Sequence, residues 1–124
     1  MTLLNNSINE VIITSSLLEE YLRSNYPNFK YCSSTTKCIT KPEDFKKELT
    51  KNYYQICLDY NLNHNFTFLD SLNEEEKYKC EFLCNAICPP GCPNRKEHYK
   101  LNGLFQITGG RNYIIDCGIK GNTL

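Results

Sequence analysis

The feature that most constrains the fold is a repeat. A short apolar run, a polar cluster and an amphipathic stretch recur about every 25 residues along most of the chain. Val11-Ile12-Ile13 is a β-branched run of the kind that fills a buried strand. Thr14-Ser15-Ser16 follows, and Ser16 and Glu19 have capping-box spacing ahead of Leu17, Leu18, Tyr21 and Leu22 at helical spacing. Pro27 closes that helix. The second unit begins at Phe29–Cys32 and passes through Ser33–Thr36. Its helix is expected from Thr40 and Glu43 at capping-box spacing, Pro42 in the first turn, and Phe45 and Leu49 on one face. The third strand is expected at Tyr54–Leu58, with Asn65 capping a helix that carries Phe66, Leu69 and Leu72. The fourth is expected at Lys79–Cys84, with Pro93 opening a short helix through Arg95, His98 and Tyr99.

Strands alternating with helices predict an α/β fold of about four β-α units with parallel strands and right-handed crossovers. The period breaks after residue 100. Leu104–Thr108, Gly109-Gly110 and Asn112–Ile115 then read as a C-terminal β-hairpin with a two-residue turn. The expected organisation is one α/β domain over 1–124, with repeats over 1–100 and a hairpin and tail over 101–124. Four units are half of an eight-stranded barrel, and half a barrel has two open edges. The chain is therefore expected to be a small open sheet, a subunit that pairs with another copy, or a piece of a larger barrel, with the last favoured.

Composition narrows the function classes. Hydrophobic residues at 40% and charged residues at 23% rule out wholesale disorder. Fourteen basic and fourteen acidic residues cancel, so charge gives no footprint for nucleic acid. No apolar run approaches the length of a membrane span. The amino terminus has no basic region ahead of an unbroken apolar stretch, so it does not read as a signal peptide, and a cytoplasmic protein is expected. Eight cysteines in a reduced compartment mean metal ligands, a redox site or small buried apolar residues; in a secreted chain they would mean disulfides.

Four of those cysteines form one run, Cys80, Cys84, Cys88 and Cys92, each four residues after the last. Pro89-Pro90-Gly91 forces a tight turn between Cys88 and Cys92. Cys84 closes the expected fourth strand, and His98 lies six residues past Cys92. Cys84, Cys88, Cys92 and His98 are the candidate ligands of an iron–sulfur cluster or of zinc. Two other readings stand beside this one: inert thiols, with Cys80 and Cys84 on one strand face, and a disulfide or redox pair. In parallel α/β folds, ligands bind at the carboxyl ends of the strands. Asp59, Asn61 and Asn85 fall there and are the substrate-facing candidates, although loop capping also uses Asn and Asp. His64 sits in a polar loop. No serine triad, P-loop or dinucleotide fingerprint is present, so no catalytic residue is assigned and enzyme status stays open.

The order from Tyr54 to Tyr99 is strand, Leu58-Asp59-Tyr60-Asn61-Leu62-Asn63, helix, strand, Leu83-Cys84-Asn85, then Cys88-Pro89-Pro90-Gly91-Cys92. It resembles the middle of TIM-barrel proteins similar to the collagenase-like peptidase family and the radical S-adenosylmethionine enzymes. The resemblance implies a cluster-bearing barrel enzyme or a fragment of one, with Cys88 and Cys92 as its best-placed ligands and Asp59, Asn61 and Asn85 at the barrel mouth. The alternative is a non-catalytic α/β module with a structural zinc site or a sheet edge that binds a partner.

Overall fold

A computed structural model of the chain describes residues 5–86 and 88–109. They divide into two compact units between Leu83 and Cys84. No helix among the described residues is long and apolar enough to cross a membrane.

The first unit is built on a four-stranded sheet. β1 (Glu10–Ile13), β2 (Lys30–Ser33), β3 (Gln55–Cys57) and β4 (Cys80–Glu81) lie side by side in chain order, every pair parallel. Between them run α1 (Ser16–Asn25), a 3-10 turn (Thr35–Lys37), α2 (Pro42–Leu49), α3 (Phe66–Asp70) and α4 (Glu74–Tyr78). The fold is therefore α/β with about four β-α units, as the repeat predicts.

The period-two alternation of a strand sorts its side chains. Ile13, Tyr31 and Ile56 enter a core with Phe45 and Leu49 of α2 and Phe68 of α3. Phe45 is fully buried and meets Phe68 edge-on, ring centroids 5.7 Å apart. Ile12, paired in register with Cys32, alternates to the opposite face, where Ile12 is exposed and Cys57 half-buried.

Several local expectations are corrected. The α1 cap is Ser15, one residue early, accepting from Leu18 N at 3.4 Å. Thr40 does not cap α2: Lys41 holds that position without a side-chain bond, and Pro42 opens the helix. Proline's fixed φ and missing N–H make it self-sufficient at a helix start. The fourth strand shrinks to Cys80–Glu81, and α4, started by a reciprocal capping box of Asn73 and Glu76, stands just before it. Cys84 is therefore off the strand, and exposed. Asn65 does cap α3, accepting from Phe68 N at 3.1 Å.

The expected hairpin is also overturned in its first half. Leu104–Thr108 belongs to the second unit's helix, α5 (Arg95–Thr108). Gly109, at φ 61°, takes the left-handed position that ends a helix, and its N–H donates to Phe105 O at 3.0 Å. The glycine read as a hairpin turn is a helix stop. The second expected strand, Asn112–Ile115, lies outside the described residues.

A buried ionic network braces the first unit. Glu48 Oε1 accepts from Ser33 Oγ at 2.7 Å and from Lys37 Nζ at 2.8 Å, and Oε2 accepts from Lys51 Nζ. Lys37 also donates to Tyr53 OH at 2.8 Å, and Tyr53 donates to Glu19, which pairs with Arg23 at 2.9 Å. Burial alone would raise the Glu48 pKa. The hydrogen bonds from Lys37, Lys51 and Ser33 outweigh it and bring the carboxyl down to about 2. Burial, then the bond to Glu19, pushes the Tyr53 phenol up.

Candidate metal centre

The second unit gathers its chemistry within eleven residues. Pro89 O accepts from Cys92 N at 3.2 Å, with Pro90 second and Gly91 third in the turn. Gly91 sits at φ 72°, in the left-handed region, which fits the demand of a type II turn. The turn folds the chain back so that Cys88 and Cys92 come together. Cys92 O then accepts from Arg95 N at the start of α5, and His98 N donates to Asn94 O at 2.9 Å. That first helical turn carries the imidazole round to the two sulfurs.

Cys88 Sγ lies 2.9 Å and Cys92 Sγ 3.7 Å from His98 Nδ1. One ligand atom from each of the three residues lies within 4.8 Å of the others. Cys88 and Cys92 are buried, at 6% and 7% exposure, and His98 is half-buried. Zinc bonds of about 2.3 Å to sulfur and 2.0 Å to nitrogen in a tetrahedron separate the ligand atoms by roughly 3.5 Å. The Cys92–His98 spacing already matches. The Cys88–His98 contact is a hydrogen-bond distance and needs to open by about 0.6 Å. His98 Nε2 is buried with no hydrogen-bond partner among the described residues. Nδ1 is the nitrogen that meets the two sulfurs, so Nε2 is the second nitrogen, which a metal-bound imidazole normally has satisfied and for which the described residues supply no partner. The donor set of two sulfurs and a nitrogen therefore fits a metal such as zinc.

Three of the four candidate ligands thus converge. Cys84 is exposed and stands outside the group. Sequence reasoning missed Arg95, which is 4% exposed and donates through Nη2 to Pro89 O at 3.3 Å, bracing the turn from the helix side. The available signal was its position in the first helical turn after a Pro-Pro-Gly bend.

The remaining thiols differ in kind. No disulfide joins any of the seven described cysteines. Cys80 donates to Glu76 O at 3.2 Å, and burial, then the nearby Glu76 carboxylate, pushes its thiol up to about 11. Burial likewise raises Cys32 and Cys57. Such thiols stay protonated at neutral pH and are poor ligands, since metals bind the thiolate.

The substrate-facing candidates sit apart in character. Asp59 is buried and its Oδ1 accepts from Asn61 N at 2.9 Å, an Asx turn at the end of β3. Asn61 and Asn85 are exposed. His64 is exposed, edge-on to Tyr60.

No protein-family model, curated protein or solved structure matches this chain.

Proposed function

We propose that this is a zinc-binding α/β protein in which Cys88, Cys92 and His98 hold one ion that organises the second unit. The observation that carries this reading is where burial falls. Among the described residues from Cys84 onward, the buried ones are Cys88, Cys92 and Arg95, with no buried aliphatic or aromatic side chain. Leu104, Phe105 and Ile107 of α5 are all exposed. The described residues of this unit thus bury no apolar side chain besides the two thiols, and a structural metal is a common source of folding energy in small units. Zinc is preferred to an iron–sulfur cluster because the group supplies two thiolates and an imidazole, while such clusters are held mainly by three or four thiolates. Three protein donors leave one tetrahedral position to water or a further donor; the role proposed is structural binding, and no reaction is assigned to it.

Elemental analysis of protein purified without oxygen, with a visible spectrum, tests this directly. One zinc per chain, without colour, is expected. Cys88→Ser and Cys92→Ser should each remove it, and Cys57→Ser should not. Cobalt(II) should replace the zinc with intense thiolate-to-metal absorption. Iron with sulfide would replace the zinc reading by the cluster-bearing one. Equal zinc loss in all three variants would remove the ligand assignment.

A second role is favoured by a separate observation. β1 is an edge strand of the sheet among the described residues, and beside it Ile12, Leu17, Leu18 and Tyr21 are exposed, Leu17 at 78%. An unpaired strand edge flanked by apolar side chains is a template for association. We propose that this edge pairs with a partner strand, as a half-barrel would require. Sedimentation of the purified chain should show self-association that Ile12→Lys abolishes; a monomer at all concentrations would remove pairing between copies.

A further inference from the structure

Parallel sheets usually bind ligands at the carboxyl ends of their strands. In the first unit those ends are occupied by their own hydrogen bonds. Thr36 Oγ1 meets both Thr14 Oγ1 and Ser34 Oγ, Thr35 Oγ1 donates to Leu58 O, and Asn63 Nδ2 donates to Leu83 O. A cleft lies at the other end. About 410 Å³ opens where β2, β3 and β4 begin, within the size range of small-molecule sites.

Its lining has an unusual chemistry. Tyr31, Tyr53, Tyr54 and Tyr78 supply rings, Arg23, Lys30 and Lys79 supply positive charge, and no Asp or Glu lines it. Arg23 is fixed: it pairs with Glu19 at 2.9 Å, donates to Asn52 O at 2.8 Å and stacks 4.3 Å from the Tyr31 ring centroid. The two lysines are differently held. Lys30 reaches Glu10 at 3.5 Å and Lys79 reaches Glu75 at 3.7 Å, long pairs with exposed carboxylates. Exposed pairs of this kind contribute little, so a better anion displaces them easily. Lys30 Nζ already sits 4.1 Å from the Tyr54 ring centroid, which holds a cation against an aromatic face.

We infer that this cleft binds a small anion bearing a planar aromatic ring, of the nucleoside monophosphate type. The phosphate takes the ammonium groups of Lys30 and Lys79 through charge-assisted hydrogen bonds. The ring stacks on Tyr54 or Tyr78, the exposed aromatic walls. Neither interaction alone is strong at a solvated cleft. The pairing of ring and charge gives the selectivity.

The test is an NMR titration of the full chain with adenosine monophosphate, adenosine and inorganic phosphate in turn. The monophosphate should shift the resonances of Tyr54, Tyr78 and Lys79 and bind about tenfold more tightly than either part alone. Raising the salt should weaken it. Lys79→Gln and Tyr78→Ala should each weaken it severalfold with an unchanged melting temperature, and Lys30→Gln provides a second charge variant if either fails to fold. Absence of shifts, equal affinity for inorganic phosphate alone, or unaltered binding in the folded variants would each overturn the proposal.

Discussion

The two units bury different things. The first packs Ile13, Tyr31, Phe45, Ile56 and Phe68 into a shared apolar core. The second, among its described residues, buries two thiols and a guanidinium. Hydrophobic burial is non-directional and scales with area, so a sheet with helices against it can be held by many small contributions. The described turn and helix of the second unit collect no such area, and the proposed metal on Cys88, Cys92 and His98 would supply a few strong directional bonds instead.

Metal removal should separate the two units most sharply. Chelation, or Cys88→Ser, should melt α5 and leave β1–β4 intact, seen as a partial loss of helical circular dichroism with the Tyr31 and Phe45 resonances unmoved. Structural zinc sites in finger peptides are worth about 10 kcal/mol or more, so the loss should be complete within the second unit. The mirror-image change is Phe45→Ala. It empties a fully buried site beside Phe68 and should lower the stability of the first unit by about 3–5 kcal/mol in a denaturant titration.

Acid sharpens the contrast further. Glu48 has a folded-state pKa of about 2 against an ordinary 4.5, so its contribution is fully present above pH 4.5 and disappears as pH falls toward 2. That contribution is on the order of 3 kcal/mol. Glu48→Gln should lower the first unit's stability at neutral pH and flatten its dependence between pH 4.5 and 2, measured by urea midpoints across that window. Zinc should leave the second unit over a different range, because protons compete for the thiolates and the imidazole. The smallest effect is expected from Gly91→Ala. Its φ of 72° costs an alanine about 1 kcal/mol although nothing obstructs the added carbon. Zinc affinity should fall about fivefold, measured by competition with a chromophoric chelator.

Much of this architecture is legible in the residues, for physical reasons that also explain the failures. The strand-helix repeat is visible because β-branched runs and amphipathic stretches alternate, and Asn65 and Pro42 mark helix starts through bonds or restrictions of their own. Cys88, Cys92 and His98 are visible because a Pro-Pro-Gly bend and one helical turn are local geometry. Gly109 misleads because a left-handed residue serves a hairpin and a helix stop equally well, and only the Phe105 carbonyl it satisfies distinguishes them. α4 goes unread because the Asn73–Glu76 box opens a helix of five residues against a strand of two. Leu17, Leu18 and Tyr21 have helical spacing yet stay exposed, because periodicity marks an apolar face without providing anything to cover it. The Ser33–Glu48–Lys37–Tyr53 network joins separated elements of the fold and has no sequence-local signal.

A metal on Cys88, Cys92 and His98 is proposed to order α5. Amide hydrogen exchange read residue by residue, before and after chelation, tests it most directly. Protection along Arg95–Thr108 should collapse when the metal is removed while β1–β3 remain protected. Equal protection of α5 in the two states would contradict it.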